Sequence, residues 1–302
     1  MSELMRIEGK TISLVLGSGG ARGLAHIGVI QVLEERGYAI HSISGSSMGA
    51  LIGGIYAAGK LDIYTEWVCA LDRFDVLRLL DVSFSGSAIF KGERIINTLR
   101  ELIGEQNIED LPISFTAVAT DIEESREVWL SNGPLCDAIR ASIAFPTVFS
   151  AISYKGKTLV DGGLLNPVPI APTMRDLTDM TIAVSLSGNA KIIPADLPKV
   201  VKLPDKRNRY HQKVIDFIDS LQRKDNGKKE DDAGFFDIIS KSLDVMQSTI
   251  ANFKLASYKP DILIEIPKDV CTIYEFERAK ELIEIGRREA TARLDEFDRA
   301  TQ

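Results

Sequence analysis

The sequence predicts an α/β fold on a mainly parallel sheet, and three observations carry that prediction. Short β-rich runs alternate with helical ones along the first 60 residues, and the connections between them are only a few residues long. The second helical run is apolar on every face, as a helix packed in an interior must be. Residues 11–16 (Thr-Ile-Ser-Leu-Val-Leu) form the first strand, ended by Gly17, Gly19 and Gly20. Over 24–36, Ile27, Ile30, Val32 and Leu33 recur at helical spacing and Gly37 supplies the stop. Residues 39–44 are the next strand and 48–58 the all-apolar helix. A strand–helix–strand–helix order with short links requires parallel pairing through right-handed crossovers.

Further along, 61–111 reads as mainly helical, with exposed-looking aromatics at Tyr64, Trp67, Phe74, Phe84 and Phe90. Strand character returns at 113–122 and 127–130, a helix follows at 134–144 with Pro146 past its end, and 157–160 leads as a strand into Asp161-Gly162-Gly163. Residues 181–186 are another buried strand. Composition changes after Gly188: Pro194, Pro198 and Pro204 lie among charges, and 223–232 is almost wholly charged, which predicts a mobile surface insert over 191–232. Amphipathic helices are expected at 214–221 and 235–255, a last strand at 261–266 and a closing helix at 276–293. The expected organisation is one domain over 1–302, with its core in 11–188 and residues 235–302 completing the fold.

Composition narrows the function. A chain of 302 residues with 45% hydrophobic residues buries a sizeable core, and a net charge of −7 argues against a nucleic-acid partner. Cys69, Cys136 and Cys271 are scattered, no Cys-x-x-Cys pair occurs, and there are only three histidines, so neither a metal of the usual zinc spacing nor a cofactor is expected. Reduced, mostly buried thiols and a cytoplasmic location follow. The first ten residues mix acids and bases, unlike a secretory signal. Residues 37–59 lack charge but hold six glycines and four serines, which suits a strand, a turn and a buried helix rather than a membrane span.

Three motifs carry chemistry. Gly45-Ser46-Ser47-Met48-Gly49 is a Gly-x-Ser-x-Gly between a strand and a helix; its glycines permit a tight turn that lifts the Ser47 hydroxyl above the sheet edge as a nucleophile. Gly17-Ser-Gly-Gly-Ala-Arg-Gly23 offers backbone N–H groups at Gly19 and Gly20 for an oxyanion, with Arg22 bracing the loop. It lacks the third glycine of a dinucleotide fingerprint and the Gly-Lys-Ser/Thr of a P-loop. In Asp161-Gly162-Gly163, an aspartate at a strand end projects into a site while the backbone bends away. No histidine suits the role of base: His26 is placed to pack or brace the glycine loop, His41 lies in a strand expected to be buried, and His211 falls in the charged insert. Asp161 is then left to take the serine proton directly, with exclusion of water raising its proton affinity.

In this order the motifs resemble the patatin-like phospholipase family of acyl hydrolases, and Ala141-Ser-Ile-Ala-Phe-Pro146 is similar to the segment that precedes the family's aspartate. The resemblance runs over about 11–188, more loosely to about 293, and is nearest to short bacterial members related to neuropathy target esterase. It implies a three-layer sandwich with a nucleophile elbow, a Ser47–Asp161 dyad, no metal and an acyl-enzyme on Ser47. The function it implies is hydrolysis of lipid acyl esters, as a phospholipase, lysophospholipase or carboxylesterase. An acyltransferase on the same dyad, a nucleotide-binding α/β protein and a non-catalytic adaptor are the alternatives. Six bases against two acids over 199–216 suggest peripheral contact with anionic lipid at the inner face of a membrane.

Overall fold

The computed structural model describes residues 9–79, 88–188 and 232–301. Most of the expected insert, with its basic stretch at 199–216, its helix at 214–221 and His211, lies outside the described residues, as does Phe84. The opening alternation is observed: Thr11–Leu16 (β1), Ala25–Glu35 (α1), Ala39–Ser46 (β2) and Met48–Ala57 (α2). Helices Leu61–Ala70 (α3) and Arg73–Leu79 (α4), strand Ala88–Phe90 (β3) and helix Glu93–Ile103 (α5) follow. Next come Ser114–Asp121 (β4), Arg126–Leu130 (β5), Leu135–Ser142 (α6), Thr147–Phe149 (β6), Ile152–Tyr154 (β7) and Lys157–Asp161 (β8). The chain ends through Met180–Gly188 (β9), the long helix Asp232–Tyr258 (α7), Ile262–Pro267 (β10) and Ala279–Thr301 (α8).

The main sheet runs β10-β9-β1-β2-β4-β8-β7. From β10 to β4 every pairing is parallel, while β8, β7 and β5 add antiparallel pairs at one side. Strand periodicity divides the core into two layers. Ile12, Leu14, Leu16, Ile182, Val184, Ile262 and Ile264 point to one face and join the large cluster that includes α1, α2 and α8. Val15 and Ala183 point to the other, where Ala251 of α7 and the chain at Val168 and Ile170 cover them. Helices α1 and α8 meet at glycines, because a Cβ on Gly286 would stand 2.0 Å from the Ala25 carbonyl oxygen.

Two expectations need correction. Tyr64 and Phe90 are not surface aromatics but 4% and 7% exposed, since both wall a cavity above α2. His41 lies on β2 as expected, yet its side chain is exposed. Strands β3, β6 and β7 have three residues each, too few for any periodicity to announce them. The three cysteines are unpaired, with Cys136 and Cys271 buried. No helix among the described residues is long and apolar enough to cross a membrane.

Candidate active site

Strand β4 brings the site together. Its residues 114–118 pair with β2, ending at Ser46 opposite Val118, while its other edge carries β5. Strand β8 takes up the edge that β2 vacates, with Asp161 opposite Ala119. Two strands therefore meet end to end along one edge of β4, and the residues at their tips, Ser47 and Asp161, face each other although 114 positions apart.

At the end of β2 the backbone turns through Ser47 at φ 55, ψ −122, a conformation that L-residues avoid. Gly45 and Gly49 make the turn possible: a Cβ on Gly45 would lie 2.4 Å from the Gly49 carbonyl oxygen, and one on Gly49 2.0 Å from that of Leu16. The turn is also pinned from outside. The Ser47 N–H donates to Ser142 Oγ at 2.9 Å, and Ser142 Oγ donates in turn to the Val118 carbonyl at 2.6 Å. Ser142 is fully buried at the end of α6.

Asp161 is fully buried. Its Oδ1 accepts from the Gly163 N–H at 2.7 Å, which orients the carboxylate. Oδ2 has no hydrogen bond of regular geometry, although the Ser47 hydroxyl is close enough to favour the ionised carboxylate. Burial dominates and pushes the Asp161 pKa up to about 7, against the smaller opposing effects of the Ser47 hydroxyl and the Gly163 amide. Gly162 allows the backbone to leave without collision, since a Cβ there would sit 2.0 Å from the Val118 carbonyl oxygen.

The glycine loop starts at the end of β1 and enters a 3-10 turn at Gly20–Leu24. First-turn N–H groups have no acceptor within their own turn, and Gly19 and Gly20 line the same cavity as Ser47. Arg22 is buried; its Nε donates to the Gly19 carbonyl at 3.1 Å, and Nη2 pairs with Asp244 of α7 at 2.9 Å. Carbonyl and N–H of one trans peptide point opposite ways, so the bond to Gly19 O fixes the direction of the Gly20 N–H. Gly20 itself needs its glycine, at φ 57 with Ile273 packed against it. His26 lies beneath the loop, fully buried, with Nε2 2.8 Å from the Gly17 carbonyl oxygen. Burial drives its pKa down to about 4, so the ring is neutral and Nε2 is the donor. No titrating base comes from it.

Above Ser47 opens a cavity of about 200 Å³ with mainly apolar walls, among them Met48, Leu51, Tyr64, Trp67, Phe90 and Phe149. Helix α7 forms one wall with Ser240, Asp244 and Gln247. The same helix is fastened near its other end, where Lys254 donates to Glu127 Oε1 at 2.6 Å and Asn166 Nδ2 donates to Glu127 Oε2 at 2.8 Å. Burial works against the Glu127 charge, but Lys254, Asn166 and Trp129 outweigh it and hold its pKa below the usual carboxylate range. Asn166 N–H bonds back to the Gly162 carbonyl at 2.8 Å, so α7 is tied both to the glycine loop and to the turn after Asp161.

Ser47, Asp161, Gly19, Gly20 and Arg22 are thus gathered in one place. Sequence reasoning assigned no role to Ser142, Asp244, Glu127 or Lys254. Ser142 lies within the segment 141–146, but nothing local announces that its hydroxyl meets the elbow. Asp244 and Lys254 belong to a helix whose position against the loops only the folded chain reveals. Among the described residues, no three His, Cys, Asp or Glu side chains gather as a metal site would require.

The patatin-like phospholipase family profile matches residues 14–174. An uncharacterized NTE family protein of Mycobacterium tuberculosis is 38% identical over 97% of this chain and 95% of its own length. Neuropathy target esterase sws of Drosophila persimilis is 34% identical over 54% of this chain and 12% of its own. Lysophospholipase nte1 of Emericella nidulans is 31% identical over 61% of this chain and 12% of its own.

Proposed function

The chain belongs to the patatin-like phospholipase family, and from that premise we propose that it is a serine hydrolase of lipid acyl esters working through a Ser47–Asp161 dyad. The observation that carries this reading is a strained serine beside a buried carboxylate at the floor of an apolar cavity. Asp161 takes the Ser47 proton as Oγ attacks the ester carbonyl carbon, and the Gly19 and Gly20 N–H groups receive the oxyanion. Collapse of the tetrahedral species expels the alcohol, which takes the proton from Asp161, and leaves the acyl group on Ser47. Asp161 then deprotonates water, which releases the fatty acid and restores the serine. A carboxylate with a pKa of about 7 is a far better base at neutral pH than an exposed aspartate. The cavity walls of Met48, Leu51 and the aromatics suit an alkyl chain, which excludes water from the dyad.

A fluorophosphonate probe should label Ser47, as read by peptide mapping, and Ser47→Ala should lose both labelling and ester hydrolysis with an unchanged melting temperature. Full hydrolysis by the folded Ser47→Ala protein would refute the assignment.

A further inference from the structure

The two faces of α7 are used in an uncommon way. Toward the protein it turns Ser240, Asp244 and Gln247 to the cavity and Ala251 and Leu255 to the sheet. Toward the outside it turns Ile238, Val245, Met246 and Phe253, which are 66%, 66%, 55% and 70% exposed. At 3.6 residues per turn these four fall within roughly 100° of the helix surface, over about 22 Å of its length. Ser242, Thr249, Asn252 and Ala256, between and beside them, are exposed and uncharged. Between residues 238 and 258 the only carboxylate is Asp244, and it is turned inward to Arg22. Water is a poor partner for such a stripe.

We propose that this outer face of α7 docks on a phospholipid surface, with the helix lying in the interface beside the mouth of the acyl cavity. The proposal rests on the hydrolase reading for the nature of its partner. The place of the face favours lipid: it lies on the helix that walls the cavity above Ser47, its carboxylate-free arc meets a headgroup layer without repulsion, and Ile238, Val245, Met246 and Phe253 enter the apolar boundary. The helix that touches the surface is also the cavity wall, so a lipid leaving the bilayer passes along α7 to Ser47. Its ties through Asp244 to Arg22, and through Lys254 and Glu127 to Asn166, connect the docked face to both catalytic loops.

The full chain should co-sediment with phosphatidylcholine vesicles and do so almost independently of salt, because the contact is apolar. Ile238→Ser/Val245→Ser/Phe253→Ser should weaken partitioning at least about tenfold, given the apolar area it removes from the contact. As a second measurement, an environment-sensitive dye on Thr249→Cys should shift to the blue on addition of vesicles. The proposal falls if the wild-type chain does not sediment, if the triple variant binds as well as wild type, or if the dye at 249 does not respond. It also falls if the face pairs two copies, seen as a dimer that the triple variant dissociates while vesicles capture neither form. Sedimentation needs no turnover: a protein that takes the fluorophosphonate but ignores vesicles defeats the docking, and one that sediments but is never labelled defeats the hydrolase reading.

Discussion

Ser47 holds a backbone conformation that costs on the order of 1–3 kcal/mol, and the bond from its N–H to Ser142 Oγ is what opposes relaxation. Replacing Ser142 by Ala leaves the Ser47 N–H and the Val118 carbonyl without their partner in a dry interior. A buried hydrogen bond lost in this way costs about 1–3 kcal/mol, so Ser142→Ala should lower kcat by roughly 10- to 100-fold with little change in KM. Ser142→Thr, which keeps the hydroxyl, should recover much of that loss; steady-state kinetics on a soluble ester decides it. In the proposed dyad Asp161 must be ionised to take a proton, so kcat/KM should climb as pH rises through about 7 and level off above it. Ser47, Asp161 and the glycine loop were legible from the sequence because each is a short motif whose residues serve the same turn. Ser142 and Asp244 were not, because their partners are 95 and 222 positions away.

Among the elements, α7 works by being held at two points. The Arg22–Asp244 pair fastens it to the glycine loop, and Arg22 is the buried member, with its side chain 5% exposed against 41% for Asp244. Removing Asp244 leaves a buried guanidinium without its counter-ion, which costs up to about 3–5 kcal/mol for a fully buried pair and less here, where water reaches the carboxylate. Asp244→Ala should therefore slow fluorophosphonate labelling of Ser47 and lower the melting temperature, whereas Arg22→Ala should be worse, since it also frees the Gly19 peptide. Helices α1 and α8 present the opposite case, a contact made by an absence of side chains. A methyl on Gly28 would fall 2.0 Å from the Ile283 carbonyl oxygen, so Gly28→Ala should destabilise by about 1–3 kcal/mol, measurable by urea unfolding. The long elements were visible in advance through their periodicity. The cavity roof was not, because Tyr64 and Phe90 bury themselves against neighbours that no local pattern connects to them.

For the molecule as a whole, the buried carboxylate makes stability depend on pH. The Asp161 pKa is raised to about 7 in the folded chain, against an ordinary 3.8. Between those values the folded state holds a proton that the unfolded state has lost, so its contribution to stability is full below about pH 4, declines as pH rises, and is constant above about 7. Asp161→Asn carries no charge to bury. It should be inactive, and more thermally stable than wild type at pH 8, with the difference shrinking toward pH 4; equal melting temperatures at pH 8 would show that burial is not straining the aspartate. The sequence by itself determined the βαβ order, the parallel sheet and the placement of Ser47, Asp161 and the glycine loop at strand ends, because strand and helix periods and turn chemistry act over a few neighbouring residues. Tertiary structure alone decided that β2 and β8 share one edge of β4, that Ser142 pins the elbow and that α7 walls the cavity. Each of these depends on strand register and helix packing between distant parts of the chain, which local side-chain patterns do not encode.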